Sequence, residues 1–242
     1  KQGDKILEIN NYPKNTNLKT EYVFKNANVL NSGSEAVTDG RYVSIQLFHS
    51  LMSMPDDGYE PRYDDPRVGY FLNYVNDMTE TGTTNYRDMI NRWRLEKKNP
   101  DQDLSEPVKP ITWWIENSTP MEWRETIRDG VLEWNKSFEK AGFKNALVVK
   151  VQPDDAEWDA GDVRYNVLRW TSSPNPPFGG YGPSMTNPRT GEIIGADIML
   201  EFVHFTNRVF YDKLVGDASS NMSLEEEEDY SEFGNNKNKF YC

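Results

Sequence analysis

Ile111-Thr112-Trp113-Trp114-Ile115 is a short apolar run of strand composition, and Thr119-Pro120-Met121-Glu122 starts a helix almost directly after it. The second stretch is a capping box with proline at the first helical position, so the Thr119 hydroxyl and the Glu122 carboxylate are expected to satisfy free amides there. Trp123, Ile127, Val131, Trp134, Phe138 and Ala141 then recur at spacings of four, four, three, four and three. That places one apolar stripe along a helix running to about Ala141, facing a core. Gly142 stands where a left-handed residue closes such a helix.

Downstream, strands are expected over 146–151, 163–170 and 192–202. Between the last two, the stretch from Ser172 to Pro183 is too rich in Pro and Gly for regular structure. Pro188-Arg189-Thr190-Gly191 reads as a hairpin turn joining Ser184–Thr186 to the last strand. The tail, with acidic residues over 225–229, reads as a solvated charge run.

Upstream, residues 1–75 are β-rich, with short runs over 6–9, 20–24, 41–48 and 68–75. Turn residues divide them: Asn31-Ser32-Gly33, Thr38-Asp39-Gly40 and Pro55-Asp56-Asp57-Gly58. Residues 86–97 fit an amphipathic helix or a strand with Met89, Asn91, Trp93 and Leu95 on one face, and the strand is preferred. Pro100, Pro107 and Pro110 mark an extended connection, so the expected division is 1–107 and 108–242. The residues alone describe an acidic α+β protein.

The chain has 242 residues and a net charge of −12, from 27 Lys+Arg against 39 Asp+Glu. Such a balance, without a basic face, argues against a nucleic-acid partner. Apolar residues make up 36% and aromatics 13%, with seven Trp, so a core of a few large rings is expected. No apolar run reaches the roughly 20 residues that span a bilayer, so no transmembrane segment is expected. No signal peptide opens the chain, and a start at Lys1-Gln2-Gly3-Asp4 suggests a processed protein or a segment of a longer one. The one cysteine, Cys242, allows no intrachain disulfide.

No complete active site can be read from the residues. His49 and His204 are the two histidines, far apart and outside any His-Glu-x-x-His pattern, so ordinary hydrogen bonding at strand ends is expected of them rather than metal ligation. The run 225–229 lacks the glycine and alternating Asp/Asn of a calcium loop. There is no Gly-x-Ser-x-Gly elbow, and Gly179-Gly180-Tyr181-Gly182 lacks the order of a phosphate cradle.

Several ordered stretches nevertheless resemble one family. They are Leu51–Pro55 with Tyr59–Phe71, Arg92–Lys97, Trp113–Pro120, Gly130–Phe143, Asp162–Trp170, and Gly182–Ser184 with Pro188–Ile194. Together they are similar to the region leading into, and the first half of, the catalytic domain of large bacterial zinc-dependent metallopeptidases of metzincin type. That family is catalogued through domains of unknown function. The resemblance implies a mixed twisted sheet with a long backing helix, preceded by a β-rich region. It also implies a zinc site on a His-Glu-x-x-His-x-x-Gly-x-x-His helix, whose Glu takes a proton from the zinc-bound water. That motif is absent here, so no catalytic residue and no metal ligand is carried over, and zinc is expected only in a full-length parent.

In such peptidases an edge strand of the sheet pairs with extended substrate. The matching stretch is Gly195, Ala196, Asp197, Ile198, Met199 and Leu200. Read from its residues, the same stretch is equally an interior strand with Ile194, Ala196, Ile198, Leu200 and Phe202 on the core. The resemblance thus implies a secreted or periplasmic peptidase fragment, silent alone, whose partners are a polypeptide substrate and the other half of the catalytic domain downstream. The competing class is a non-catalytic peptide- or glycan-binding or scaffold module.

Overall fold

The computed structural model describes residues 3–26, 37, 39–56, 58–83, 85–173, 178–203 and 213–214. The turn expected at 31–33 and the middle of the Pro/Gly loop, 174–177, lie outside these, as do Thr38 and Asp57 of the two other predicted turns. The architecture is mixed α+β, with several sheets and one long helix.

The chain opens with β1 (Lys5–Asn11), β2 (Asn15–Lys25) and β3 (Tyr42–Met52), an antiparallel three-stranded sheet in that order. Two short strands follow, β4 (Leu72–Asn73) and β5 (Met89–Ile90), paired antiparallel. The longer strands expected over 68–75 and 86–97 are therefore reduced to two residues each. Beyond Ile90 the backbone is tied by single bridges instead, Arg92 to Glu192 and Lys97 to Pro107. The pattern expected on the 86–97 face is still used, since Met89 is buried and Trp93 and Leu95 pack against the core.

β6 (Ile111–Ile115) leads into α1 (Met121–Leu132), α2 (Asn135–Lys140) and β7 (Leu147–Val151). β6 and β7 are parallel, Trp113 beside Val149, and a parallel pair needs a crossover, which the two helices supply. β8 (Asn166–Thr171) pairs parallel on the other side of β6, Trp113 beside Asn166. Next come β9 (Gly180–Tyr181), β10 (Ser184–Thr186), β11 (Ile193–Ala196) and β12 (Ile198–Glu201). The five-stranded sheet runs β7-β6-β8-β12-β9, and β10 pairs antiparallel with β11 around the predicted hairpin turn. Gly191 in that turn has φ +73°, and a Cβ there would meet the Ile90 carbonyl oxygen at 2.5 Å, so only glycine fits.

The helix departs from its predicted course in two places. Pro120, not Thr119, occupies the N-cap, and no side chain caps the first turn. The strand-to-helix turn is held instead by Arg124, whose guanidinium donates to the carbonyls of Thr119 (2.8 Å) and Asn117 (2.7 Å). The single helix expected to Ala141 also breaks after Leu132. Amides 134, 136 and 137 bond three residues back rather than four, which tightens the turn. There Asn135 reaches β7 with a reciprocal pair, its Nδ2 donating to the Leu147 carbonyl (3.1 Å) and its Oδ1 accepting the Leu147 amide (2.8 Å). The break takes Trp134 off the stripe and leaves it 53% exposed, whereas Ile127, Val131 and Phe138 pack on the core. Gly142 closes the second helix at φ +89°, as its position foretold.

The core consists of Ile111, Trp113, Ile115, Leu147, Leu168 and Ala196, with Trp93 set edge-on to Trp113 at 6.5 Å. Trp123 stacks on Trp170 beside it. By its contacts the chain forms two units, Lys1–Trp170 with Tyr181–Met199, and Thr171–Gly180 with Leu200–Cys242. In the larger, the leading strands are fastened to the loop before β8. Asn15 and Asn17 both donate to the Gly161 carbonyl, at 2.8 and 3.0 Å, and Tyr12 donates to Asp159 at 2.8 Å. In the smaller, the Ser173 hydroxyl and amide hold the Glu201 carboxyl, at 2.8 and 3.1 Å, below its ordinary pKa.

Candidate functional site

The predicted substrate-pairing stretch falls in two strands and the bend between them. Gly195 and Ala196 end β11, opposite Met185 and Ser184 of β10. Ile198, Met199 and Leu200 lie in β12, which has β8 on one side and β9 on the other. Both sides of β12 are thus occupied, and the edges of this sheet are β7 and β9. Between β11 and β12, Asp197 accepts the Val167 amide at 3.0 Å while its own amide donates to the Pro183 carbonyl at 3.1 Å. Burial pushes its carboxyl pKa up. The bend at Asp197 is what divides the single strand expected over 192–202. Gly195 lies close to another backbone, since a Cβ there would come within 3.0 Å of the Val163 carbonyl oxygen.

His49 lies within β3, where its Nε2 is 3.2 Å from the Thr20 hydroxyl and its ring meets Tyr22 edge-on. His204, Cys242 and the acidic run 225–229 lie outside the described residues. Among the described residues no three His, Cys, Asp or Glu side chains are grouped to hold a metal, and no helix is long and apolar enough to cross a membrane. Among the described residues the donor set does not fit zinc.

The larger unit contains a cavity of about 980 Å³. Its walls come from the foot of the first sheet (Lys14, Met54, Asp56), the 93–96 segment, the approach to β6, Lys150 of β7, and the starts of β8 and β11. Alternation along β6 explains the aromatic lining, because Trp113 turns into the core and so Trp114 must face the other way. Trp114 meets Tyr165 edge-on at 5.9 Å, and Tyr165 in turn stacks on Trp158 at 3.8 Å. The Lys150 ammonium lies 5.1 Å from the Trp114 ring, within cation–π range.

Two ion pairs fix the cavity's cationic wall. Arg94 grips Glu192 through Nε (2.8 Å) and Nη2 (3.4 Å), and Arg164 grips the buried Asp162 through Nη2 at 2.6 Å. Lys14, Lys109 and Lys150 make no ion pair with a described carboxylate. Aromatic faces beside ammonium groups give the cavity a chemistry that can recognise a ligand.

Residues 1–98 match a family model described as a domain of unknown function (DUF5117). No curated protein and no solved structure matches the chain. The matched stretch carries β1 to β5 and the Lys14, Met54, Asp56, Trp93 and Arg94 side of the cavity, while β6, β7, β8 and β11 furnish the other side. Sequence reading missed the cavity because its residues are scattered from 14 to 194. The one local signal was the Trp113-Trp114 doublet, which in a strand must serve two faces.

Proposed function

We propose that this chain is the amino-terminal part of a secreted or periplasmic zinc-dependent metallopeptidase of metzincin type, with the zinc-binding helix supplied by residues of the parent beyond this sequence. The observation that supports this reading is the sheet: a parallel β6-helix-β7 crossover, β8 parallel on the other side of β6, then β12 and the two-residue β9. Of the stretches resembling the family, Trp113–Pro120 covers part of β6, Gly130–Phe143 part of the crossover and Asp162–Trp170 most of β8, which supports the reading. In this reading the stretch Gly195–Leu200 belongs to the edge region that aligns the substrate backbone, with Ile198, Met199 and Leu200 in β12 beside β9.

The test uses the parent protein. It should cleave extended peptides, lose that activity to a chelator and regain it with zinc. A parent reading frame without a His-Glu-x-x-His helix, or peptidase activity indifferent to chelation, overturns the proposal.

A second reading, a non-catalytic peptide- or glycan-binding module, is favoured by the aromatic and cationic cavity. It requires that the chain alone bind such a ligand, measured by calorimetry, with Trp114→Ala abolishing the heat.

A further inference from the structure

The sheet of β1, β2 and β3 has two unlike faces. Its register sets Ile9 beside Leu18, Ile6 beside Thr20 and Leu47, and Tyr22 beside Ile45 on one face. That face carries no Asp, Glu, Lys or Arg along its whole length, in a chain of net charge −12. The other face carries Lys5, Glu8, Lys19 and Glu21, with Lys5 and Glu21 paired at 3.0 Å. Along the two outer strands this face is open to solvent, with Ile6 60% exposed, Ile9 52% and Leu51 60%, while on β2 Leu18 and Tyr22 are half-buried and Thr20 is buried.

We infer that this face is the interface of a homodimer, in which two copies of the chain pack the apolar faces of β1–β3 together as a β-sandwich. Three considerations select a second copy as the occupant. First is area: β2 and β3 have 11 residues each. Strands of that length rise about 36 Å, and three at about 4.8 Å spacing are about 14 Å wide. The face therefore projects about 500 Å², and with its side chains standing up it reaches the order of the roughly 800 Å² per partner of a stable interface.

Second is charge. A face without Asp, Glu, Lys or Arg, whose titratable side chains are Tyr22 and His49 beside the Thr20 hydroxyl, is complementary to itself, so a two-fold axis brings identical patches together with no carboxylate, ammonium or guanidinium buried unpaired. The charged faces of the two sheets then point outward, separated by two sheet layers packed about 10 Å apart, beyond the roughly 8 Å screening length at physiological salt. Third is size: about 500 Å² lies in the upper part of the roughly 300–600 Å² of the largest apolar patch on a typical monomer, and such patches are often functional. The inference does not depend on the peptidase reading.

Sedimentation equilibrium of the purified chain between about 1 and about 100 μM should give twice 28.1 kDa at the upper end. Leu47→Lys and Ile45→Lys, each at a position 42% exposed, should weaken the dimer at least about tenfold while keeping the far-UV circular dichroism of the wild type. Phe48→Lys is the control: Phe48 is 65% exposed but stands on the opposite face beside Lys19, so the dimer should survive it. A mass of 28.1 kDa at every concentration overturns the inference. A dimer untouched by both apolar-face variants, or broken equally by Phe48→Lys, overturns it too.

Discussion

The three-stranded sheet and the five-stranded sheet are made from similar residues, yet only the second has a core. Along β6 every other residue is buried, and Ile115 is 1% exposed, whereas Ile9 in β1 is 52% exposed. The difference follows from connectivity. Antiparallel strands can be joined by tight turns that leave both faces bare, but a parallel pair such as β6 and β7 cannot form without a crossover. That crossover brings its helices onto the sheet and buries one face in the same step. Strand-forming residues therefore predict strands, and the connection predicts whether a core comes with them.

The largest effect should come from the buried side of this comparison. Ile115→Ala removes a side chain in the centre of the core cluster and should cost about 2–5 kcal/mol in urea unfolding. Ile9→Ala, on the open face, should cost about 0.5 kcal/mol or less when measured at concentrations where the chain is monomeric. Equal costs would mean that the first sheet has a core of its own, and the contrast would fail.

Next in size is the joint between the two regions. Asn15 is 5% exposed; its Nδ2 donates to the Gly161 carbonyl at 2.8 Å and its Oδ1 accepts the Val163 amide at 3.1 Å. Asn15→Ala leaves both backbone partners without it, so a loss of about 1–3 kcal/mol is expected, with faster hydrogen exchange at the Val163 amide. An unchanged exchange rate there would show that the joint is held elsewhere.

Much of the second region was legible because its signals are local. The Ile111–Ile115 run, the Ile127, Val131 and Phe138 part of the stripe and the closing Gly142 lie within one strand-helix unit and stand where the sequence puts them. What was not legible depends on partners distant in sequence. Trp134 fits the stripe by spacing, but Asn135 bonds to Leu147 and tightens the helix there, a contact 12 residues away. Asp197 sits in a strand-like run, but its carboxylate bonds the Val167 amide, 30 residues away, and bends the chain. The cavity shares this character, since no two of its walls are neighbours in sequence. Trp134→Ala consequently belongs low on the scale, at about 1 kcal/mol or less by denaturant melt, far from the roughly 3–5 kcal/mol of a buried ring. A loss in the buried range would restore the unbroken helix.

The smallest effect near neutral pH, and one with a distinct signature in alkali, belongs to Tyr12. Partial burial and the hydrogen bond its hydroxyl donates to Asp159 push its pKa from 10.0 to about 12. Both causes favour the neutral phenol in the folded chain. Below about pH 10 the folded and unfolded states both keep the proton, so this group adds no pH dependence there. As pH rises from about 10 to about 12 the unfolded chain releases its proton first, and stability falls with pH across that window. Tyr12→Phe should cost about 0.5 kcal/mol or less at pH 7, because the bond is reached by solvent, and should remove this part of the alkaline slope. The check is the phenolate absorbance of folded protein, wild type minus Tyr12→Phe. A difference that titrates near pH 10 would mean that Tyr12 is not held by Asp159 and that the joint rests on Asn15 and Asn17 alone.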